Sequence, residues 1–450
     1  MSYALAVESL FARGHELAAA PNAPRRKFDL DQMRVLAAAL GHPERAFRGV
    51  LIAGTNGKGS TAAMLASILQ AAGYRTALYT SPHLSRVNER IRIDGVLISD
   101  DDFARLYFRV DEAGARLLRD GKLPQLPSFF ETMTAVAFLY FAEQRVDLAV
   151  LEVGMGGRLD ATNIVEPLLS IVTDISLDHT EWLGPTIADI AREKAGILRS
   201  GGTLVTLPQH PEANRALGEA AVALGVKGIS AVDYMPQAHA TAIDASCNAG
   251  YTISVGVEAV QLAPALAGTH QHRNTALAVA AVVELCNSHG YMINPQQIAE
   301  GIRATRWPGR LERFPRNALR CAVLLDVAHN PAGAWTLRSA LSSYTDARRK
   351  ILLFGCLRDK AFSEMAQILF PVFDRVVLSP VDSPRSASAD DLLAVAETLG
   401  VRAQAAASPM AGLDIALQQA AQDDLVVCAG SIYLVGPVRD ALTSPVENAL

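Results

Sequence analysis

The stretch Gly49-Val50-Leu51-Ile52-Ala53-Gly54-Thr55-Asn56-Gly57-Lys58-Gly59-Ser60 joins an apolar run to a glycine-rich turn, and a helix-length segment follows to about Ala72. A short run rich in branched residues, bounded by a turn, reads as a buried strand. Glycines let backbone amides curl around an anion, and a helix that starts there adds partial positive charge. Lys58 supplies a point charge, and a hydroxyl at the helix start can reach a magnesium shell. The spacing departs from GxxxxGK[ST]: Gly54 lies three residues before Gly57, and Gly59 separates Lys58 from Ser60. A plain glycine turn is the bland alternative. Strand, glycines, lysine and helix occurring together favour a phosphate loop.

The same alternation continues on both sides. Strands are predicted at Thr76 to Tyr79, Leu148 to Val153, Leu168 to Thr173 and Thr203 to Leu207. Helices are predicted near Phe130 to Gln144, Ile187 to Ala195, Asn274 to Ser288 and Pro295 to Arg303. Strands alternating with helices of this length specify βαβ units and a mainly parallel sheet. Residues 208–270 break the rhythm and read as a small antiparallel appendage or an irregular region. A second series has strands at Ala322 to Val327, Lys350 to Phe354, Arg375 to Leu378 and Leu425 to Ala429. The turn Trp307-Pro308-Gly309-Arg310 marks the boundary. The expected fold is α/β: a parallel-sheet domain carrying the phosphate loop (1–308), then a smaller Rossmann-like domain (309–450).

Composition sets the outer limits. Of 450 residues, 50% are hydrophobic and 19% charged, enough for more than one core, so disordered and fibrous classes are excluded. A net charge of −5 argues against whole-chain attraction to nucleic acid or anionic lipid, yet leaves room for a local anion site. The longest near-apolar run, Thr275 to Cys286, is too short to span a bilayer. The N-terminus lacks a signal-peptide pattern. Five cysteines (Cys247, Cys286, Cys321, Cys356, Cys428) lack a CxxC pair and read as small buried hydrophobes in a reducing cytoplasm.

Ligands of open parallel sheets bind beyond the carboxyl ends of the strands. Several polar groups fall there: Ser81-Pro82-His83 after the second strand, Glu152 inside an apolar strand, and Asp178-His179 after the Leu168 strand. A carboxylate in an apolar strand is costly to bury unpaired, so Glu152 faces a metal or a cation. With Ser81 and His179 it could form an oxygen-and-imidazole magnesium site; the bland reading of Asp178-His179 is a hydrogen-bonded pair. Lys194 alone reads as a solvated charge near a helix end. Asp326, His329 and Ser431 lie at strand ends of the second series, and a cleft between the two domains is the natural active site.

These motifs occur in order: GTNGKGS (54–60), TSPHL (80–84), EVGMGGRLDATN (152–163), DHTEWLG (178–184), REKAGI (192–197), PGR (308–310) and DVAHNP (326–331). Together they resemble the folylpolyglutamate synthase/dihydrofolate synthase family, a branch of the Mur ligase superfamily, over roughly residues 28 to 435. The resemblance implies that Asn56, Gly57, Lys58, Gly59, Ser60 and Thr61 hold the ATP phosphates, with Asn274, Arg310, Asp326 and His329 at the nucleotide. It implies magnesium on Ser81, Glu152 and His179, and a carbamylated Lys194 holding a second magnesium, so that Lys58, Lys194 and His179 form the catalytic set. Substrate contacts are implied for Asp29, Leu30, Pro82, His83, Ser128, Phe129, Phe130, Glu131, Leu159, Asp160, Ala161 and Ser431. The Ser128 segment reads independently as a helix start with exposed aromatics that could stack a flat ring.

The implied reaction is ATP-dependent joining of L-glutamate to dihydropteroate and to reduced folates through an acyl phosphate. A monomer that binds no nucleic acid and no membrane is expected. Three alternatives are weighed: polyglutamylation alone, a Mur-type ligase acting on another acid, and an ATP-binding module without catalysis. The P-loop begins at residue 54, which leaves no room for the N-terminal UDP-binding domain of the cell-wall ligases. The intact Lys58, Glu152, His179 and Lys194 set argues against a non-catalytic module.

Overall fold

The computed structural model describes residues 2–13, 29–236, 250–316 and 319–444. The strands are β1 (Arg48–Ala53), β2 (Thr76–Tyr79), β3 (Ile91–Ile93), β4 (Val96–Leu97), β5 (Leu148–Glu152), β6 (Pro167–Val172), β7 (Thr203–Thr206), β8 (Lys227–Ser230), β9 (Tyr251–Val255), β10 (Glu258–Leu262), β11 (Glu312–Phe314), β12 (Ala322–Leu325), β13 (Lys350–Phe354), β14 (Arg375–Leu378), β15 (Ala403–Ala405) and β16 (Leu425–Ala429). The helices are α1 (Tyr3–Ala12), α2 (Leu30–Ala39), α3 (Lys58–Ala71), α4 (Asp100–Arg119), α5 (Phe129–Glu143), α6 (Thr180–Leu183), α7 (Ile187–Ala195), α8 (Pro211–Ala223), α9 (His270–His289), α10 (Pro295–Ala304), α11 (Pro331–Leu341), α12 (Phe362–Leu369), α13 (Ala389–Thr398), α14 (Pro409–Gln419) and α15 (Ile432–Thr443).

The chain divides into two compact units. The first holds the described residues of Met1–Ala240, Gly250–Pro264 and His272–Thr305; the second holds Ala265–Gln271 and the described residues of Arg306–Leu450. The division falls at Arg306 and passes Ala265–Gln271, which ends in the first two residues of α9, to the second unit.

In the first unit an eight-stranded sheet runs β4-β3-β2-β5-β1-β6-β7-β8. Among the described residues the β2–β3 and β3–β4 pairings of this sheet are antiparallel and the others parallel. From Gly49 onward β1 is buried on both faces, as a central parallel strand requires. Leu51 and Ala53 pack on one side into a cluster with Phe103, Tyr107, Phe138 and Phe141 from α4 and α5. From β1 the chain crosses to β2 beyond β5, and from β5 it passes β1 to reach β6. The carboxyl ends of β1, β5 and β6 therefore border a topological switch, where such sheets open a crevice.

Residues 208–270 differ from expectation. Their first part forms α8 and β8, and β8 joins the parallel sheet beside β7. Among the described residues of this segment, β9 and β10 alone form an antiparallel hairpin. The Ala- and Gly-rich composition hid α8 because Leu217 is the one large apolar side chain buried on it, with Ala213 and Ala216 completing its inner face. Helix α4 was also not anticipated, although Ser99 caps it and three aspartates occupy its first turn.

The second unit has a six-stranded sheet, β11-β12-β16-β13-β14-β15, parallel except for β11. Its core gathers Leu324, Leu352, Phe354, Leu378 and Val427 beneath α11 and α12. Cys321, Cys356 and Cys428 are buried, Cys286 is half-buried rather than buried, and Cys247 lies outside the described residues. Among the described residues no helix is long and apolar enough to cross a membrane.

Candidate active site

The loop from Gly54 to Ser60 is suspended from neighbours far away in sequence. The backbone N–H groups of Thr55 and Asn56 both donate to the Asp174 carbonyl, at 2.8 and 3.2 Å. Thr55 Oγ1 donates to the Ser176 carbonyl (3.1 Å) and accepts from the Ser176 N–H (3.1 Å), while Asn56 Nδ2 donates to Ser176 Oγ (3.2 Å). Gly57 stands at φ +89° before α3, and a Cβ there would lie 2.3 Å from Asn274 Oδ1. Both the backbone angle and the close approach require glycine. Thr61 Oγ1 reaches the same Asn274 oxygen at 3.5 Å. Lys58 Nζ lies over its own loop, donating to the Thr55 carbonyl at 3.2 Å. The N-cap of α3 is Gly57, which has no side chain to cap the helix, an arrangement that suits an anion at the helix start.

Lys194 does not point to solvent. It is buried, and its Nζ donates to the Gly54 carbonyl at 2.7 Å. Burial, aided by the nearby Lys58 charge, lowers its pKa to about 7, against the pull of Asp178 and Asp160. An ammonium that would be fully charged on a surface is thus partly available as an amine near neutral pH. The helix-terminal reading failed because α7 ends inside the unit: Arg158 N donates to the Glu193 carbonyl (2.8 Å), and the guanidinium of Arg158 pairs with the Glu193 carboxylate.

Glu152 ends β5 almost fully buried, and its Oε2 accepts from the Ser81 N–H at 3.1 Å. Two of the expected magnesium ligands are therefore neighbours. A buried carboxylate beside a serine is the hard oxygen chemistry that magnesium takes, so the donor set fits that ion. His179 has φ +52° ahead of α6, with its N–H bonded to Asp178 Oδ1 at 2.9 Å and its Nε2 3.9 Å from the same oxygen. Among the described residues no three His, Cys, Asp or Glu side chains converge into a metal cluster.

The substrate-side residues divide. Ser128 and Glu131 form a reciprocal capping box: Glu131 Oε2 accepts from the Ser128 N–H (2.7 Å) and hydroxyl (2.6 Å), and Ser128 Oγ accepts from the Glu131 N–H (3.2 Å). The expectation of exposed aromatics is corrected. Phe129 is 3% exposed and contacts Phe11 at a ring separation of 5.5 Å. Phe130 is half-buried against Tyr79, and its ring is within 2.6 Å of where a Gly154 Cβ would sit. Helix α5 is apolar on nearly every face, which draws its first turn into the core. Asp160 is likewise committed: its carboxylate accepts from the Gly154, Met155 and Thr162 amides and from the Thr162 hydroxyl. It pins the glycine-rich turn, with Leu159 half-buried and Ala161 buried beside it.

His83 is held neutral, with a pKa pushed down to about 3 chiefly by burial and by Arg90, whose Nε donates to His83 Nδ1 at 2.8 Å. Pro82 beside it is exposed and follows a cis peptide bond. Asp29 caps α2. Leu30 borders a cavity whose other walls include Arg34, Phe47, Arg158 and Arg199, and not the Ser128 segment.

In the second unit Asp326 is buried with its carboxylate accepting from the Leu311 and Ala328 amides at 3.0 and 2.9 Å. Burial raises its pKa, opposed by Arg310 and those amides. His329 Nδ1 lies 3.0 Å from the Val327 carbonyl. Ser431 is buried, with its hydroxyl capping α15, so its oxygen already has a structural partner.

Sequence reading missed two supports of the site. One is the bidentate pair of Arg273 with Asp174 (2.6 Å at its shortest); its signal was an arginine just before Asn274. The other is Ser176, invisible because the loop it braces comes from another strand.

Comparison with known proteins agrees with this architecture. Residues 52–282 match the Mur ligase middle domain and residues 309–432 the Mur ligase glutamate ligase domain. A chain built of these two domains is an ATP-dependent ligase of the Mur ligase superfamily. The dihydrofolate synthase/folylpolyglutamate synthase of Bacillus subtilis is 34% identical over 92% of this chain and 94% of its own. The protein of that name from Escherichia coli is 32% identical over 92% and 91%. The folylpolyglutamate synthase of Mycobacterium tuberculosis, crystallised with ADP and AMPPCP, superposes with a TM-score of 0.86 at 31% identity, covering 98% of this chain and 99% of that one. The chain belongs to the dihydrofolate synthase/folylpolyglutamate synthase family.

Proposed function

We propose that this chain is a bifunctional ligase that joins L-glutamate to dihydropteroate and to the γ-carboxylate of reduced folates. A substrate carboxylate oxygen attacks the γ-phosphorus of ATP, and ADP leaves. The glutamate amine then attacks the acyl carbon, phosphate departs, and the amine loses a proton. Such chemistry asks the protein mainly for position and charge compensation. The observation that carries the reading is the pairing of an uncapped helix start with Lys58 and the buried Lys194, both held on one loop. The names of the B. subtilis and E. coli relatives include both activities, whereas the Lacticaseibacillus casei relative, 33% identical over 93% of this chain, is named for polyglutamylation alone.

In this reading the amides from Asn56 to Thr61 and the Lys58 ammonium bind the phosphates. Asn274 is assigned to the nucleotide, as are Arg310, Asp326 and His329 of the second unit. Ser81, Glu152 and His179 would hold one magnesium, and Lys194 as a carbamate a second; bound there, the ions would neutralise phosphate charge. Carbamylation needs a neutral amine to attack CO₂ with loss of a proton, and the lowered pKa of Lys194 supplies it. The folate contacts are assigned to Asp29, Leu30, Pro82, His83, Ser128, Phe130, Glu131, Leu159, Asp160 and Ala161. Buried Phe129 would shape that surface from beneath. Ser431 is assigned to the glutamate side. A monomer acting in the cytoplasm accompanies this reading.

The test is a side-by-side assay of ATP- and L-glutamate-dependent phosphate release with dihydropteroate and with tetrahydrofolate. Turnover of both is expected. Turnover of tetrahydrofolate alone would leave polyglutamylation, and turnover of neither would overturn the reading.

A further inference from the structure

We propose that Arg273 is a positioning residue for the phosphate loop, acting through Asp174. The inference rests on reading Gly54 to Thr61 as that loop. The Asp174 carbonyl is the shared acceptor for two consecutive loop amides, Thr55 and Asn56. Its location therefore sets where the first half of the loop lies. Residues 174–176 have left β6 and belong to no helix or strand, so their placement depends on side-chain contacts.

Gln209 Oε1 accepts from the Ile175 N–H at 2.7 Å and Thr55 Oγ1 from the Ser176 N–H at 3.1 Å, while Arg273 holds Asp174 itself. Its Nε lies 3.0 and 2.9 Å from the two Asp174 carboxylate oxygens, and its Nη2 lies 2.6 Å from Oδ1. Nη2 also donates to the Pro208 carbonyl at 3.0 Å, tying in the segment after β7. A planar guanidinium used in this way fixes direction as well as distance. Asn274, the next residue, meets Gly57 and Thr61 in the second half of the loop. The first turn of α9 thus holds the loop at both ends, indirectly through Arg273 and directly through Asn274. Both side chains retain solvent contact, at 29% and 42% exposure. A pair this exposed adds little to folding stability, so its effect should appear in nucleotide binding.

The test uses the full chain. In Arg273→Gln the KM for ATP and the Kd for ADP should rise about fivefold to tenfold, with kcat, the KM for glutamate and Tm nearly unchanged. Arg273→Lys, which keeps charge but loses the fork, should recover part of the loss. Asp174→Asn should weaken ATP binding, and adding it to Arg273→Gln should cost no more than the single change, because the two act as one unit. An unchanged KM for ATP in Arg273→Gln, or a loss spread equally over every KM together with a fall in Tm, would overturn the proposal. Lys58→Ala is the control. If it loses ADP affinity while Arg273→Gln does not, the phosphate-loop reading stands and the Arg273 proposal falls; if it retains ADP affinity, both fall.

Discussion

The two sheets present the same junction, a strand end turning into a helix, and use it in opposite ways. After β1 the chain passes through glycines to α3, whose N-cap Gly57 has no side chain to offer; Lys58 is the cation lying over the loop. After β12 it passes through Asp326 to α11, where Asn330 Oδ1 accepts from the Gly333 N–H at 2.8 Å. The first junction offers no capping side chain from its N-cap and sets a cation over its loop. The second satisfies its own amides with a cap and a buried carboxylate. A helix start can serve an anion or stabilise its own fold, and the capping residue decides which.

Removing the loop's charge should have the largest effect. Lys58→Ala should lower ATP-dependent turnover by about a hundredfold or more while leaving the fold intact, because a lost point charge on developing phosphate charge costs on that scale. Near-normal steady-state rates would break the contrast. Glu152→Ala should be comparably severe, with circular dichroism unchanged. Lys194 sharpens the same side of the comparison. Its amine is protonated below about pH 7 and neutral above, so recovery of activity after CO₂ depletion, measured at a fixed concentration of dissolved CO₂, should speed up as pH rises through 7 and then level off. Recovery that is flat with pH, or absent dependence on CO₂, would remove the carbamate. Lys194→Arg, unable to lose its proton in this range, should not respond to bicarbonate.

The contrast was only half legible in the sequence. Central strands such as β1, β5 and β13 stand out because they are buried on both faces and read as largely apolar runs, that of β5 ending in Glu152. Gly57 and Lys58 announce an anion loop through local chemistry alone. What holds that loop is nonlocal: Asp174, Ser176, Lys194 and Asn274 are brought to it by strand order, and spacing carries no record of strand order. Lys194 resembled a surface charge because its burial depends on α7 running under the β5–β6 connection. Phe129 resembled an exposed ring because a capping box predicts where a helix starts, not which side of its first turn faces the core.

A milder change tests the other side, a carboxylate that pins a turn. In Asp160→Asn the amide nitrogen cannot accept, so one of the two oxygens serving the Gly154, Met155 and Thr162 donors is lost. A stability loss of about 1–3 kcal/mol is expected, read as a shift in denaturant midpoint at constant m. No shift would mean that the turn is held by its glycines and by Arg158 rather than by Asp160.

The smallest expected effect isolates the capping argument itself. Asn330→Ala removes the side-chain acceptor at the start of α11 while leaving Asp326 and its two amide contacts in place. Losing such a cap costs about 1 kcal/mol, which for a unit of this size lowers the melting transition by roughly 4 °C. It also removes the side-chain acceptor of the Gly333 amide, so that α11, like α3, starts without a capping side chain from its own N-cap residue. If an uncapped start were sufficient for an anion, the variant should be restabilised by millimolar phosphate. We expect it is not, because Asp326 occupies the position where the first junction has glycine and lysine, and its carboxylate opposes an incoming anion. Restabilisation by phosphate at the second junction would show that the cap alone separates the two sites and that the flanking charge is secondary.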